Sequence, residues 1–117
     1  MRPSPPPTAR FAATIALAHS GGHFPRLPRP SLDLEGLSPA DRQLAVAIHR
    51  TALQRWITLR FLLDRYLNKP LATLEPAMRG SLLGGAAQLL FMPRLPAYAV
   101  VDQTVSLTRQ LVRPKAA

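Results

Sequence analysis

The chain has 117 residues, enough for one domain with a single hydrophobic core. It has no cysteine, which excludes disulfides, thiolate metal sites and cysteine nucleophiles. Fifteen Lys and Arg against six Asp and Glu give a formal net charge of +9, and thirteen of these cations are arginine, which favours a polyanionic partner such as nucleic acid.

Neither a membrane span nor an export signal is predicted. The longest apolar stretch, residues 81–92, is about half as long as a spanning helix, and Gln88 interrupts it. The N-terminus resembles a signal peptide in having a short apolar run after two arginines, but its three consecutive prolines are atypical of one. We therefore expect a cytoplasmic protein.

The first 37 residues contain one helix between two proline-rich segments. Residues 1–7 hold four prolines and one charge, which predicts a disordered lead-in to a domain over residues 8–117. The first helix is predicted from Thr8, its N-cap, to Ser20, before a Gly-Gly stop. Residues 21–37 carry three prolines and three glycines, which predicts a loop.

The second helix has the clearest start signal in the chain. Ser38 is suited to the N-cap, Pro39 to the first helical position, and Asp41 to the acidic position of a capping box. Apolar residues at every fourth position predict the face that packs on the core. These residues are Ala40, Leu44, Ile48 and Ala52.

A third helix is predicted because the apolar stripe of the second helix does not continue after Leu53 and a new stripe begins. Thr58 is a suitable cap, Arg60 and Asp64 can pair one turn apart on the outside, and residues 68–70 end the helix. Trp56, at the junction, is expected to fill the gap between helices rather than to stack on a base. The new apolar stripe is Leu59, Leu62, Leu63, Tyr66 and Leu67.

The fourth helix is predicted to lie at the centre of the bundle. It opens at Glu75-Pro76 and carries small and apolar residues nearly all round, so it has no side suited to water. Glycine inside a helix costs about 1 kcal/mol relative to alanine. We therefore expect neighbouring backbones to approach closely at Gly84 and Gly85.

Two prolines predict a bend before the fifth helix. Pro93 ends the fourth helix and Pro96 begins the fifth, which folds back along it and leaves Arg94 at the corner, either solvated or in contact with phosphate. No strand pair is predicted, so the fold class is an all-α bundle of about five helices. The aromatics expected in the core are Phe11, Trp56, Tyr66, Phe91 and Tyr98.

The pattern of polar residues does not indicate an enzyme. The six carboxylates form no close pair for acid–base work, and no histidine stands at a recognisable spacing from a nucleophile. His19 and His23 are four residues apart, but Gly21-Gly22 breaks the helix between them. We therefore expect no metal site, no cofactor and no catalysis.

Four stretches together resemble the NusB family of all-α RNA-binding domains. They are "TARFAAT", "LSPADRQLA", "TLRFLLDRYL" and "QLLFMPRLPAYAVVDQTVSL", and the resemblance extends over residues 8–117. The "KPL" before the fourth helix and the aromatic with prolines at the bend are closer to the branch linked to an rRNA cytosine methyltransferase. At the other end, "VRPKAA" stands where the family's last helix would begin.

The resemblance implies binding of single-stranded RNA, either rRNA or a leader transcript, together with a small ribosomal protein that doubles as an antitermination factor. By position in the family's first helix, Arg10 is the expected RNA-binding residue. Arg94 is the second, and Arg2 is expected to assist from a flexible arm.

Three functions remain open at this point. The first is an RNA-binding module in transcription antitermination or rRNA biogenesis, and the second is a non-catalytic accessory domain of an rRNA cytosine methyltransferase. The third is a helical scaffold for protein interaction, in which the groove left beside the fourth and fifth helices mediates self-association through Leu107 and Leu111.

Overall fold

The computed structural model describes residues 8–21 and 32–112, and in this part of the chain the fold is all-α. The helices are α1 Ala9–Gly21, α2 Pro39–Gln54, α3 Trp56–Tyr66, α4 Pro76–Phe91 and α5 Ala97–Leu111, with a short 3₁₀ helix, Leu71–Thr73, before α4. The predicted all-α bundle of five helices is confirmed. The lead-in predicted over residues 1–7 lies outside the described residues, as do residues 22–31 of the predicted loop.

The predicted caps of α1 and α2 are confirmed by hydrogen bonds. Thr8 Oγ1 accepts from the N–H of Phe11 at 3.1 Å, and Ser38 Oγ accepts from the N–H of Asp41 at 3.2 Å. Each bond satisfies a backbone donor that has no partner inside its own helix. These two starts are therefore determined by local sequence.

The buried face of α2 differs from the predicted one. Ala40 is exposed and Leu44 is half-buried, although Ile48 and Ala52 are buried as predicted. A step of four residues advances 400° around a helix, so three such steps drift by about 120° away from a fixed direction. The face that packs on the bundle consists of Ala45, Ile48, His49 and Ala52.

The start predicted for α3 at Thr58 is wrong. The backbone departs from helical geometry only at Arg55, with φ −108° and ψ 19°, and α3 begins at the next residue. The N–H of Leu59 already donates to the carbonyl oxygen of Arg55 at 2.8 Å, so the helical bonding resumes without a side-chain cap. The predicted pair of Arg60 and Asp64 is present, with 3.9 Å between Nε and Oδ2.

Helix α4 lies at the centre of the bundle and contacts all four other helices, as predicted. The main core cluster contains buried residues of α1, α2, α3 and α4 and the first residue of the 3₁₀ helix. Trp56 is buried in that cluster, which confirms its expected role between helices. The members are Leu17, Ala52, Trp56, Leu59, Leu71, Leu83 and Ala87.

The close backbone approach predicted at Gly84 and Gly85 occurs at Gly80 instead, and the close neighbour of Gly85 is a side chain. A Cβ on Gly80 would collide with the carbonyl oxygen of Thr14 and lie 2.9 Å from the backbone nitrogen of Ala18. A Cβ on Gly85 would lie 2.9 Å from the Thr104 side chain, whereas one on Gly84 would make only ordinary contacts, the nearest at 3.5 Å. Helix α1 therefore packs backbone to backbone on α4 at Gly80.

Candidate nucleic-acid interface

The first turn of α1 lies beside the last turn of α4 because the two helices run antiparallel. Ala18, late in α1, lies against Gly80 near the start of α4, and Arg10, early in α1, reaches Gln88 near its end. The packing at Gly80 thereby determines which α4 residue the Arg10 side chain contacts.

Arg10 is held by a hydrogen-bonded relay that ends on the backbone of α4. Its Nε donates to Gln88 Oε1 at 2.7 Å, and Gln88 Nε2 donates to the carbonyl oxygen of Gly84 at 3.0 Å. Gln88 is only 3% exposed, so its oxygen depends on Arg10 for a donor. Burial lowers the pKa of the Arg10 guanidinium, but an arginine remains charged at neutral pH. Its two amino groups make no hydrogen bond within the described residues.

A second arginine contacts the same end of α4. The guanidinium carbon of Arg55, the residue between α2 and α3, lies 4.9 Å from the centroid of the Phe91 ring. This is a cation–π contact with the last residue of α4. Sequence patterns did not single out Arg55, because it belongs to no motif and its position depends on the break between two helices.

Arg94 follows three residues after Phe91, in the predicted bend. The N–H of Leu95 donates to the carbonyl oxygen of Met92 at 3.0 Å and closes the turn, and Pro96 immediately precedes α5. The Arg94 side chain is exposed at this corner, as predicted. Arg2, the third RNA-binding residue expected from the sequence, lies outside the described residues.

Arg10, Arg55 and Arg94 form what we call the α4-end cluster. They come from α1, from the α2–α3 junction and from the bend, and none of them forms an ion pair with a carboxylate in the part of the chain that the structure describes. The partial negative charge at the C-terminus of α4 favours cations there. The cluster therefore combines a structural role for Arg10 and Arg55 with positive charge that no carboxylate in residues 8–21 and 32–112 pairs with.

Tyr98 follows Arg94 by four residues, in the first turn of α5, and is 81% exposed, so its predicted burial is wrong. It stands two residues before the buried Val100, which turns it about 200° away from the packed face of α5. Tyr66 is likewise 86% exposed, at the last residue of α3. An exposed aromatic ring next to arginines is suited to stacking on an unpaired base.

Neither of the two residues predicted to mediate self-association is among the exposed large apolar residues. Leu107 is buried and Leu111 is half-buried, because this side of α5 packs on the bundle. The exposed apolar residues of α5 are Val101 and Val105 instead.

The histidines are separate from the cluster. His49 is buried on α2 beside a pocket of about 420 Å³ whose lining includes Leu32 and Arg50, and its Nε2 has no partner within the described residues. Burial lowers the pKa of His49, which keeps the imidazole neutral at neutral pH. His23 lies outside the described residues. Within the described ranges, no three His, Asp or Glu residues stand close enough to hold a metal ion.

No helix among residues 8–21 and 32–112 is both long and apolar enough to span a bilayer.

The sequence model of the NusB family matches residues 23–117. The chain belongs to the NusB family. Helix α1 precedes the matched residues, so the family match does not include Arg10. The place of Arg10 in the α4-end cluster depends on its contacts in the structure.

Two kinds of relative are similar to this chain. The transcription antitermination protein NusB of Ralstonia pickettii is 34% identical over 77 residues, which cover 66% of this chain and 50% of that protein. The ribosomal RNA small subunit methyltransferase B of Xanthomonas campestris is 36% identical over 85 residues, covering 72% of this chain and 19% of that protein. This chain thus spans about half the length of the NusB proteins that it matches. No solved structure matches significantly.

Proposed function

We propose that this chain is an RNA-binding module of transcription antitermination or rRNA biogenesis, and that RNA contacts the α4-end cluster. The observation that supports this most directly is the convergence of three arginines from separate elements on one helix end, where no carboxylate of the described residues pairs with them. Arginine forks suit phosphate oxygens, and the exposed Tyr98 ring offers a surface for a base. The family and the antitermination proteins among the relatives agree with this role.

The proposal includes the remaining expectations about partners. The RNA is single-stranded, because exposed rings stack on unpaired bases, and Arg2 adds charge from the segment before α1. A small ribosomal protein binds together with the RNA. The protein acts in the cytoplasm and catalyses no reaction itself.

Fluorescence anisotropy with a labelled single-stranded leader RNA, across a salt series, tests this proposal. Each phosphate contact contributes about −0.7 to the slope of log affinity against log salt. We therefore expect Arg94→Gln and Arg55→Gln each to weaken binding and to flatten the slope by about one contact.

Arg109→Gln is the matched control for the two cluster variants. Arg109 is also an exposed arginine, but it lies in the last turn of α5, while the cluster lies before the first turn of that helix. Equal losses in Arg109→Gln and Arg94→Gln would mean that net charge alone binds RNA, and salt-independent binding would contradict the proposal.

A second candidate function is supported by the similarity to the methyltransferase of Xanthomonas campestris. In that case the chain is an accessory domain that presents rRNA to a separate catalytic domain. A preference for rRNA fragments over leader RNA, and a stable complex with a separately expressed methyltransferase catalytic domain in size-exclusion chromatography, would favour this candidate. A preference for the leader RNA without such a complex would favour the first.

A further inference from the structure

The outward side of α3 carries large apolar residues that none of the described elements covers. Ile57 is 74% exposed and Phe61 is 61% exposed, one helical turn apart, and Arg65 continues the row at the next turn. The packed side of the same helix contains the buried Trp56 and Leu59. We call Ile57, Phe61 and Arg65 the α3 outer face.

Positive charge lies over and beyond the aromatic ring of this face. The Arg65 guanidinium carbon lies 5.8 Å from the centroid of the Phe61 ring, and Lys69 is exposed just beyond the helix. Asp64 is the only acidic residue of α3. Its Oδ1 accepts from the N–H of Leu71 at 2.7 Å and its Oδ2 lies 3.9 Å from Arg60 Nε, so internal partners engage its negative charge.

The α3 outer face begins next to the α4-end cluster. Arg55, whose guanidinium lies over Phe91, directly precedes the first residue of α3. At 1.5 Å per residue, Phe61 lies about 9 Å and Arg65 about 15 Å further along the helix axis. A strand that leaves the cluster along α3 therefore meets the ring of Phe61 first and the charge of Arg65 next.

We propose that the α3 outer face is a second contact surface for single-stranded RNA, on which a base stacks on Phe61 while Arg65 and Lys69 contact phosphates. This inference rests on the proposed function, and it extends the RNA path from one end of the bundle along α3. Charge favours RNA over a protein partner here, because the exposed Lys69 is of a type depleted from protein interfaces, whereas Arg65 and Lys69 can each neutralise a phosphate. On α3, cations lie within and beside the apolar row.

The test compares Phe61→Leu with Phe61→Trp in anisotropy titrations with RNAs of about 4 and about 12 nucleotides. Leucine keeps an apolar side chain but has no ring to stack on, whereas tryptophan keeps the ring. We expect Phe61→Leu to bind the longer RNA about tenfold more weakly and the shorter RNA unchanged. Phe61→Trp should retain the affinity, and its added fluorescence, measured against the wild type with its buried Trp56, should be quenched by the longer RNA.

Two control variants distinguish a failure of this inference from a failure of the proposed function. Ile57→Ala shortens the neighbouring exposed apolar side chain without removing a ring, and Arg94→Gln reports on the α4-end cluster. If Arg94→Gln weakens binding but Phe61→Leu does not, the inference is overturned and the proposed function stands. Equal losses in Ile57→Ala and Phe61→Leu would overturn stacking in favour of a merely apolar contact, and no RNA affinity in the wild type would overturn both proposals.

Discussion

The Nε–H of Arg10 donates to Gln88 Oε1 across 2.7 Å and so joins the first turn of α1 to the last turn of α4. The two residues are 78 positions apart in sequence. The contact links α1, which precedes the residues matched by the family model, to α4, which lies within them. The same residue thereby connects the stability of the bundle with the charge proposed to contact RNA.

We predict that Arg10→Met destabilises the protein because Gln88 Oε1 is left buried without a donor. The cost should be about 1–3 kcal/mol in the free energy of unfolding. A double-mutant cycle with Gln88→Met, measured by urea unfolding, should give a coupling energy of about 0.5–3 kcal/mol. Additive single-mutant costs would show that the hydrogen bond contributes little.

We predict opposite results for alanine at Gly80 and at Gly84. Gly80→Ala would drive a methyl group into the Thr14 carbonyl, so α1 must move, at a cost of about 1–3 kcal/mol or more. Gly84→Ala has room, since its nearest contact would be 3.5 Å, and should be neutral or more stable by up to about 1 kcal/mol because of helix propensity. Thermal unfolding of the pair, followed by circular dichroism, checks this; a Gly80→Ala variant as stable as wild type would mean that α1 is not packed as described.

We predict that Trp56 and Tyr66 differ sharply in their effect on stability. Trp56→Ala removes a ring buried in the main core cluster and should cost about 3–5 kcal/mol. Tyr66→Ala removes an exposed ring and should change the free energy of unfolding by less than about 0.5 kcal/mol. Denaturant unfolding of both variants distinguishes this from the prediction of the apolar pattern, which placed both residues in the core.

We predict that His49 makes the protein less stable in mild acid. Burial lowers its pKa in the folded state below the ordinary value of 6.5, so the unfolded chain binds the proton more readily. The neutral imidazole therefore makes its full contribution to the free energy of unfolding above pH 6.5. This contribution is lost as the pH falls from 6.5 toward the lower pKa of the folded state. Urea unfolding between pH 7.5 and 5 should show a smaller loss in His49→Gln than in wild type, and parallel curves would contradict the role of His49.

Local sequence was sufficient for much of the fold. The cap at Ser38, the cap at Thr8 and the two prolines of the bend determined where helices begin and end, because each acts on backbone groups only a few residues away. The start of α3 was predicted three residues late, since the break at Arg55 needs neither a capping side chain nor a proline.

The candidate site could be predicted only in part. Arg10 and Arg94 were selected from a family resemblance, and the structure places both near the end of α4. Arg55 was missed because only the packing of the α2–α3 junction against Phe91 brings it there. Tyr98 was expected in the core, since an aromatic residue on an amphipathic helix does not by itself reveal which side is covered.

By itself, the sequence determined the helix count, most helix ends, the central place of α4 and the excess of arginine, because these follow from composition and from interactions within a few residues. The tertiary structure decided which faces are covered. Gly80 rather than Gly84 meets a neighbouring backbone, Arg10 meets Gln88, and Phe61 remains exposed. The physical reason is that each of these depends on the distances and crossing angles between helices, which are set by all the packed side chains together.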